Sequence, residues 1–197
     1  MILALACAPS LAAAATILVF GDSLSAGYGV PQERSWVSLL EKRLRDENYK
    51  YHVANASVSG ETTAGGASRI ASALKAHRPD IVIVGLGAND GLRGQNLETM
   101  RRNLEMMIDA SQRAKARVLL IGMRLPPNYG TTYTEKFHQT YADLARSKMT
   151  GLVPFLFEGF GEDTRLFQSD RVHPTAEAQV LMLDTVWKGL RPLLRRQ

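Results

Sequence analysis

The sequence predicts a single three-layer α/β/α domain, with a five-stranded, mainly parallel sheet and helices on both faces. Three observations predict it. Short β-branched runs alternate with longer helical patterns along the chain. Three of the runs are continuously apolar, as in strands covered on both faces of a parallel sheet. A chain of 197 residues also suits one such domain with a sizeable core and is too short for two.

The elements follow in order. Thr16-Ile17-Leu18-Val19-Phe20 reads as a buried strand, and Ser35–Asp46 as the helix after it. Tyr51–Asn55 is the second strand, followed by a helix over Thr63–Ala76. Asp80-Ile81-Val82-Ile83-Val84 repeats the buried-strand pattern and leads to a helix over Leu97–Ala114. Arg117-Val118-Leu119-Leu120-Ile121 does so again before a helix over Thr134–Lys148. Gly151–Phe155 and a helix over Thr175–Leu190 complete five strand–helix units. Such a series implies an open sheet with right-handed crossovers. Ligands of such sheets sit beyond the carboxyl ends of the strands.

The N-terminal segment is of another kind. Met1–Ala15 carries no charge, holds an apolar run and ends in Ala12-Ala13-Ala14-Ala15. This is the pattern of a secretory signal peptide before its cleavage site, here lacking the positively charged start. We expect residues 1–15 to be a signal-peptide remnant and 16–197 the folded domain. The stretch falls short of the roughly 20 apolar residues that span a bilayer. The sole cysteine, Cys7, lies within it, and Ala4-Leu5-Ala6-Cys7 fits a lipoprotein site poorly. Disulfides, thiolate catalysis and cysteine metal sites are therefore not expected of the mature domain.

The rest of the composition is that of a soluble globular protein, 45% hydrophobic and 22% charged, with net charge +5. Basic clusters such as Lys42-Arg43-Leu44-Arg45 lack interleaved aromatics. They read as solvated helix faces rather than a nucleic-acid surface.

Chemistry gathers at the strand ends. Gly21-Asp22-Ser23-Leu24-Ser25 follows the first strand, Ser57-Val58-Ser59-Gly60-Glu61-Thr62 the second, and Gly87-Ala88-Asn89-Asp90 the third. Asp170-Arg171-Val172-His173 precedes the final helix. A serine hydroxyl is a weak nucleophile until a base within hydrogen-bond reach takes its proton. Histidine can do so near neutral pH, and a carboxylate can hold its tautomer. Asp170 and His173, three residues apart, can form that pair on one loop. The Ser23 and Gly60 backbone N–H groups and the Asn89 side-chain amide could receive an oxyanion. Each motif alone has a bland reading as a turn or helix entry; their conjunction in one order argues for acyl transfer.

The same four blocks resemble those of the SGNH (GDSL) hydrolases, in that family's order and across almost the whole mature chain. Finer matches, including Arg124-Leu125-Pro126-Pro127-Asn128-Tyr129-Gly130, resemble its bacterial periplasmic acyl-CoA thioesterase, lysophospholipase and arylesterase branch. The resemblance implies a flavodoxin-like fold, Ser23 as nucleophile, His173 as base and Asp170 as its orienter. It also implies an oxyanion hole of Ser23, Gly60 and Asn89. Gly29-Val30-Pro31-Gln32 and the loop from Phe157 to Ser169 depart from the pattern, so the resemblance does not reach substrate preference.

Asp22 and Asp90 have no histidine nearby in sequence and read as loop formers whose carboxylates accept backbone N–H bonds. His52, His77 and His138 lack metal-site spacing, so no metal and no cofactor is expected. The Gly-x-Ser-x-Gly turn, a full dinucleotide fingerprint and a phosphate loop are absent from the sequence. The sequence therefore points to a periplasmic or secreted, monomeric serine hydrolase acting on small acyl esters and thioesters. The loop after the fourth strand is expected to line the acyl pocket through Leu125, Pro126 and Tyr129. No nucleic acid and no stable membrane insertion are expected, only passing contact with lipid substrate. Two alternatives stand beside this reading. One is a carbohydrate O-deacetylase with the same triad; the other is a non-catalytic binding module on the flavodoxin-like frame.

Overall fold

The structure is a computed structural model that describes residues 15–196. Its strands are β1 (Ala15–Gly21), β2 (Tyr51–Asn55), β3 (Ile81–Gly85), β4 (Arg117–Ile121) and β5 (Gly151–Val153). They form one sheet in the order β2-β1-β3-β4-β5, and every pair is parallel. The helices are α1 (Ser23–Ala26), α2 (Trp36–Asp46), α3 (Thr63–His77), α4 (Ala88–Leu92), α5 (Leu97–Arg113), α6 (Thr131–Lys148) and α7 (Gln179–Leu190). This is the single α/β domain expected, with its flavodoxin-like strand order.

Side chains alternate across each strand, and both faces of the sheet are dry. Ile17 and Val19 of β1 pack in one core with Trp36, Leu40 and Leu44 of α2 and Val186 of α7. Leu18 and Phe20 point the other way, into a core with Ile70 of α3, Leu104 of α5 and Phe137 of α6. At about 1.5–3 kcal/mol for each fully buried large aliphatic side chain, these two layers dominate the stability. The spacing of Trp36, Leu40 and Leu44 puts them on one face of α2, whose first turn is capped by Ser35 accepting from the Ser38 N–H.

Element boundaries differ from expectation where backbone donors are diverted or missing. β5 ends at Val153 because Pro154, with no N–H, cannot extend the ladder. α7 begins at Gln179 rather than Thr175, since the Gln179 N–H turns to the Ala176 carbonyl at 3.4 Å and the Thr175 carbonyl accepts Gln179 Nε2 at 3.3 Å instead. α6 begins at Thr131, directly after Gly130 at φ 84°. Two short helices, α1 and α4, escape the periodicity because each is under two turns long. Ala15, expected to be outside the domain, pairs with Tyr51 in the sheet. The rest of the expected signal remnant, with Cys7, lies outside the described residues. Among the described residues, no helix is long and apolar enough to cross a membrane.

The chain leaves β1 toward β2 on one side and returns to β3 on the other, so the crevice of the sheet opens at β1/β3. Gly21 and Gly85 end these strands side by side. A β-carbon on Gly21 would stand 2.8 Å from Ser25 Oγ and 3.0 Å from the Gly85 carbonyl. Glycine there lets α1 start against the tip of β3.

Candidate active site

Ser23 is the first residue of α1, where Asp22 caps the helix by accepting the Leu24 N–H at 3.0 Å. His173 reaches it from the loop before α7, with Nε2 2.8 Å from Ser23 Oγ. The other imidazole nitrogen, Nδ1, stands 2.7 Å from Asp170 Oδ2. Asp170 Oδ1 accepts the His173 N–H at 3.0 Å and the Val172 N–H at 2.9 Å. The His173 backbone N–H, then its imidazole, then the Val172 N–H hold the Asp170 carboxyl down at about 2. Its charge therefore persists throughout the neutral range. Arg171, between these partners, adopts left-handed backbone at φ 58°, a conformation that a non-glycine residue seldom takes.

Sequence reasoning missed the groups that hold this loop. Gln168 Nε2 donates to the Tyr28 carbonyl at 2.9 Å and the Pro174 carbonyl at 3.0 Å, and its N–H to the His173 carbonyl at 2.8 Å. The Tyr28 ring lies against the imidazole, centroids 4.5 Å apart. Tyr28 and Gln168 are 140 residues apart in sequence, and His173 lies farther still from Tyr28, so no local pattern advertises these contacts.

The remaining expected donors come from the loops after β2 and β3. Gly60 sits at φ 78°, which glycine adopts freely and other residues do not. Among the described residues neither the Ser23 nor the Gly60 N–H has an acceptor. Asn89, in the first turn of α4, donates Nδ2 to the Glu61 carbonyl at 3.0 Å and to Asp22 Oδ2 at 3.3 Å. The two loops are joined further by Arg93 Nη2 on the Gly60 carbonyl at 3.2 Å. Asp90, buried, accepts the Thr63 N–H at 2.9 Å and the Thr63 hydroxyl at 2.5 Å. Asp22 is 1% exposed. Burial pushes its carboxyl up to about 6, against the opposing pull of the Leu24 N–H, the His173 charge and Asn89.

A cavity of about 850 Å³ opens beside Ser23 and His173. Leu125 and Pro126 line it. Tyr129 does not: its hydroxyl donates to the Leu92 carbonyl at 2.9 Å, which turns the ring to support α4 rather than the cavity. The wall that sequence reasoning missed is aromatic. Phe155, Phe157, Phe160 and Phe167 all border the cavity, with Phe157 within 5.4–5.7 Å of the other three ring centroids. The apolar spacing after β5 was the available signal. Among the described residues no group of three or more His, Cys, Asp or Glu side chains is arranged to hold a metal ion.

Residues 19–181 match the GDSL-like lipase/acylhydrolase family. The chain is 46% identical over 192 residues to esterase TesA of Pseudomonas aeruginosa, covering 98% of this chain and 96% of that one. It is 39% identical to thioesterase 1/protease 1/lysophospholipase L1 of Escherichia coli, covering 93% and 86%. The crystal structure of TesA superposes with a TM-score of 0.89 at 46% identity, covering 91% of this chain and 99% of the other. That of the psychrotrophic esterase EstA from Pseudoalteromonas, inhibited by monoethylphosphonate, superposes at 0.86 with 36% identity, covering 90% and 97%.

Proposed function

The chain belongs to the GDSL-like lipase/acylhydrolase family, and on that footing we propose that Ser23, His173 and Asp170 form its catalytic triad. It is a hydrolase of the esterase, thioesterase and lysophospholipase type. The observation that carries the triad is the continuous relay from Ser23 Oγ to His173 Nε2 at 2.8 Å and from Nδ1 to Asp170 at 2.7 Å.

In the proposed reaction, Ser23 Oγ attacks the acyl carbonyl as His173 Nε2 takes the hydroxyl proton. The carbonyl oxygen becomes an oxyanion received by the Ser23 and Gly60 N–H groups and by the Asn89 amide. That the Ser23 and Gly60 N–H groups have no acceptor among the described residues supports their assignment as donors kept for the reaction. The tetrahedral intermediate collapses and expels an alcohol or thiol, which leaves with the proton from His173. Water then attacks the acyl-Ser23 ester as His173 takes its proton, and the acid is released. Asp170 stays ionised and stabilises the imidazolium without accepting its proton. Inhibition of EstA by a phosphonate, a tetrahedral anion like this intermediate, agrees with such a path.

The substrates we propose are aryl esters, acyl thioesters and lysophospholipids. The apolar wall of Leu125, Phe155, Phe157 and Phe167 suits an acyl chain better than an acetylated sugar, which favours these over a carbohydrate deacetylase. All the groups invoked lie in one chain, so the protein would work as a monomer. We assign it to the periplasm or the secreted fraction, a reading checked by fractionating cells that express the full chain. The test of the triad is labelling by a serine-directed fluorophosphonate. Wild type should label and Ser23→Ala should not; equal labelling of both would overturn the assignment.

A further inference from the structure

Asp22 is more than its capping duty requires. Accepting the Leu24 N–H needs only one neutral oxygen, as serine or asparagine supplies at many helix starts. Here the residue is a carboxylate, almost wholly buried, and its second oxygen faces the Asn89 side chain at 3.3 Å. The Asn89 amide nitrogen also meets the Glu61 carbonyl at 3.0 Å. Carbonyl and carboxylate oxygens only accept hydrogen bonds. Turned over, Asn89 would set its own oxygen against both of them, with no proton between.

We propose that Asp22 is a positioning residue for the oxyanion hole: its Oδ2, together with the Glu61 carbonyl, keeps the nitrogen end of the Asn89 amide in the site. The inference rests on reading Asn89 as an oxyanion donor. The surroundings leave Asp22 this task. The Glu61 segment is already held by Arg93 on the Gly60 carbonyl and by the Glu61–Arg69 ion pair, whose guanidinium lies over the Phe20 ring at 4.1 Å. The backbone at Asn89 is tied down through Asp90 and Thr63. What remains free is rotation of the amide itself. At 3.3 Å the contact to Asp22 is longer than the usual N–H···O range of about 2.7–3.2 Å. It is therefore the bond that yields when an oxyanion forms, while the Glu61 bond keeps the amide plane.

The test compares Asp22→Asn and Asp22→Ser, each alone and combined with Asn89→Ala, in steady-state hydrolysis of an aryl ester. Capping alone predicts that the isosteric asparagine is at least as good as serine. Positioning predicts the reverse, because the amide introduced by Asp22→Asn can donate to a turned-over Asn89, whereas serine is too short to reach it. We expect Asp22→Asn to lower kcat roughly tenfold to a hundredfold, less than loss of a whole donor, with KM within about twofold. In the Asn89→Ala background neither substitution should lower kcat further by more than about twofold, since both act through Asn89. A folded Asp22→Asn enzyme with wild-type kcat would overturn the proposal, as would a loss that persists undiminished without Asn89. Full kcat in Asn89→Ala alone would instead strike the oxyanion assignment beneath it. Should Asp22→Asn fail to fold, Asp22→Ser, which keeps the cap and removes the second oxygen, should still lose severalfold in kcat with Asn89 present and not in Asn89→Ala; a folded Asp22→Ser enzyme with wild-type kcat would overturn the proposal.

Discussion

Replacing Asp22 with asparagine should stabilise the protein at pH 8 and not at pH 4. Burial raises the carboxyl from 3.8 to about 6 in the folded state. The sign follows from proton linkage. Below about pH 4 the group is protonated whether folded or unfolded, and it adds no penalty. As pH rises from about 3.8 to about 6 the unfolded chain ionises while the folded group stays protonated, so stability falls across that window and levels off above it. A shift from 3.8 to about 6, at about 1.36 kcal/mol per unit, makes the full penalty about 3 kcal/mol. The charges that face Asp22 are His173, whose imidazolium favours the carboxylate, with Asp90 and the buried Tyr141 hydroxyl as neighbours. Asp22→Asn removes the penalty and points an amide at the Asn89 amide, a pH-independent cost of about 1 kcal/mol. The difference between variant and wild type should therefore grow by 2–3 kcal/mol, a rough figure, from pH 4 to pH 8. With urea m values of about 1–3 kcal/mol per molar, paired denaturation curves resolve this as a midpoint shift. A difference that stays constant with pH, or that shrinks as pH rises, would refute the buried-carboxylate argument.

Three other outcomes test the site. Asn89→Ala should lower kcat by roughly 10²–10³ in ester hydrolysis while the fold stays intact. kcat/KM should fall on the acid side, because only neutral imidazole acts as base. Asp170, held down at about 2, should lose its charge only as pH falls through that value. An NMR titration of the Asp170 carboxyl itself with its midpoint near the carboxylate reference of about 3.9 would contradict this. Leu125→Ala and Phe157→Ala should each shift chain-length preference in a panel of acyl esters, whereas Tyr129→Phe should leave it unchanged. An unaltered profile in both alanine variants would remove the proposed acyl wall.

The sheet was legible because its signal is local. Three apolar runs, β1, β3 and β4, are long enough to be buried on both faces, and the register that joins Gly21 to Gly85 only aligns strands already evident. Boundaries were not legible where a backbone bond was diverted, as when the Gln179 N–H turns to the Ala176 carbonyl while its side chain takes the Thr175 carbonyl and α7 starts late. The cavity wall was read from the wrong loop in part. Tyr129 stands in a stretch that matches its family closely, yet its hydroxyl serves the Leu92 carbonyl. The phenylalanines that border the cavity lie largely in the stretch that matches least.

Within the site, the span of each bond decides how much the sequence discloses. Asp170 and His173 are three residues apart, so residue type and spacing suffice to suggest the pair. Asp22 and Asn89 are 67 residues apart, and each has a complete local explanation on its own. Asp22 looks like a helix cap and is one, through Oδ1. A carboxylate has two oxygens, however, and burial makes the second costly to leave idle. Local reasoning accounts for the first oxygen and stops; only the fold reveals that the second faces Asn89. If the proposed cycle comes out as argued, the conjunction of Asp in the first block with Asn in the third has a physical reason. The charge that burdens the folded state near neutral pH also orients the amide nitrogen on which the oxyanion depends.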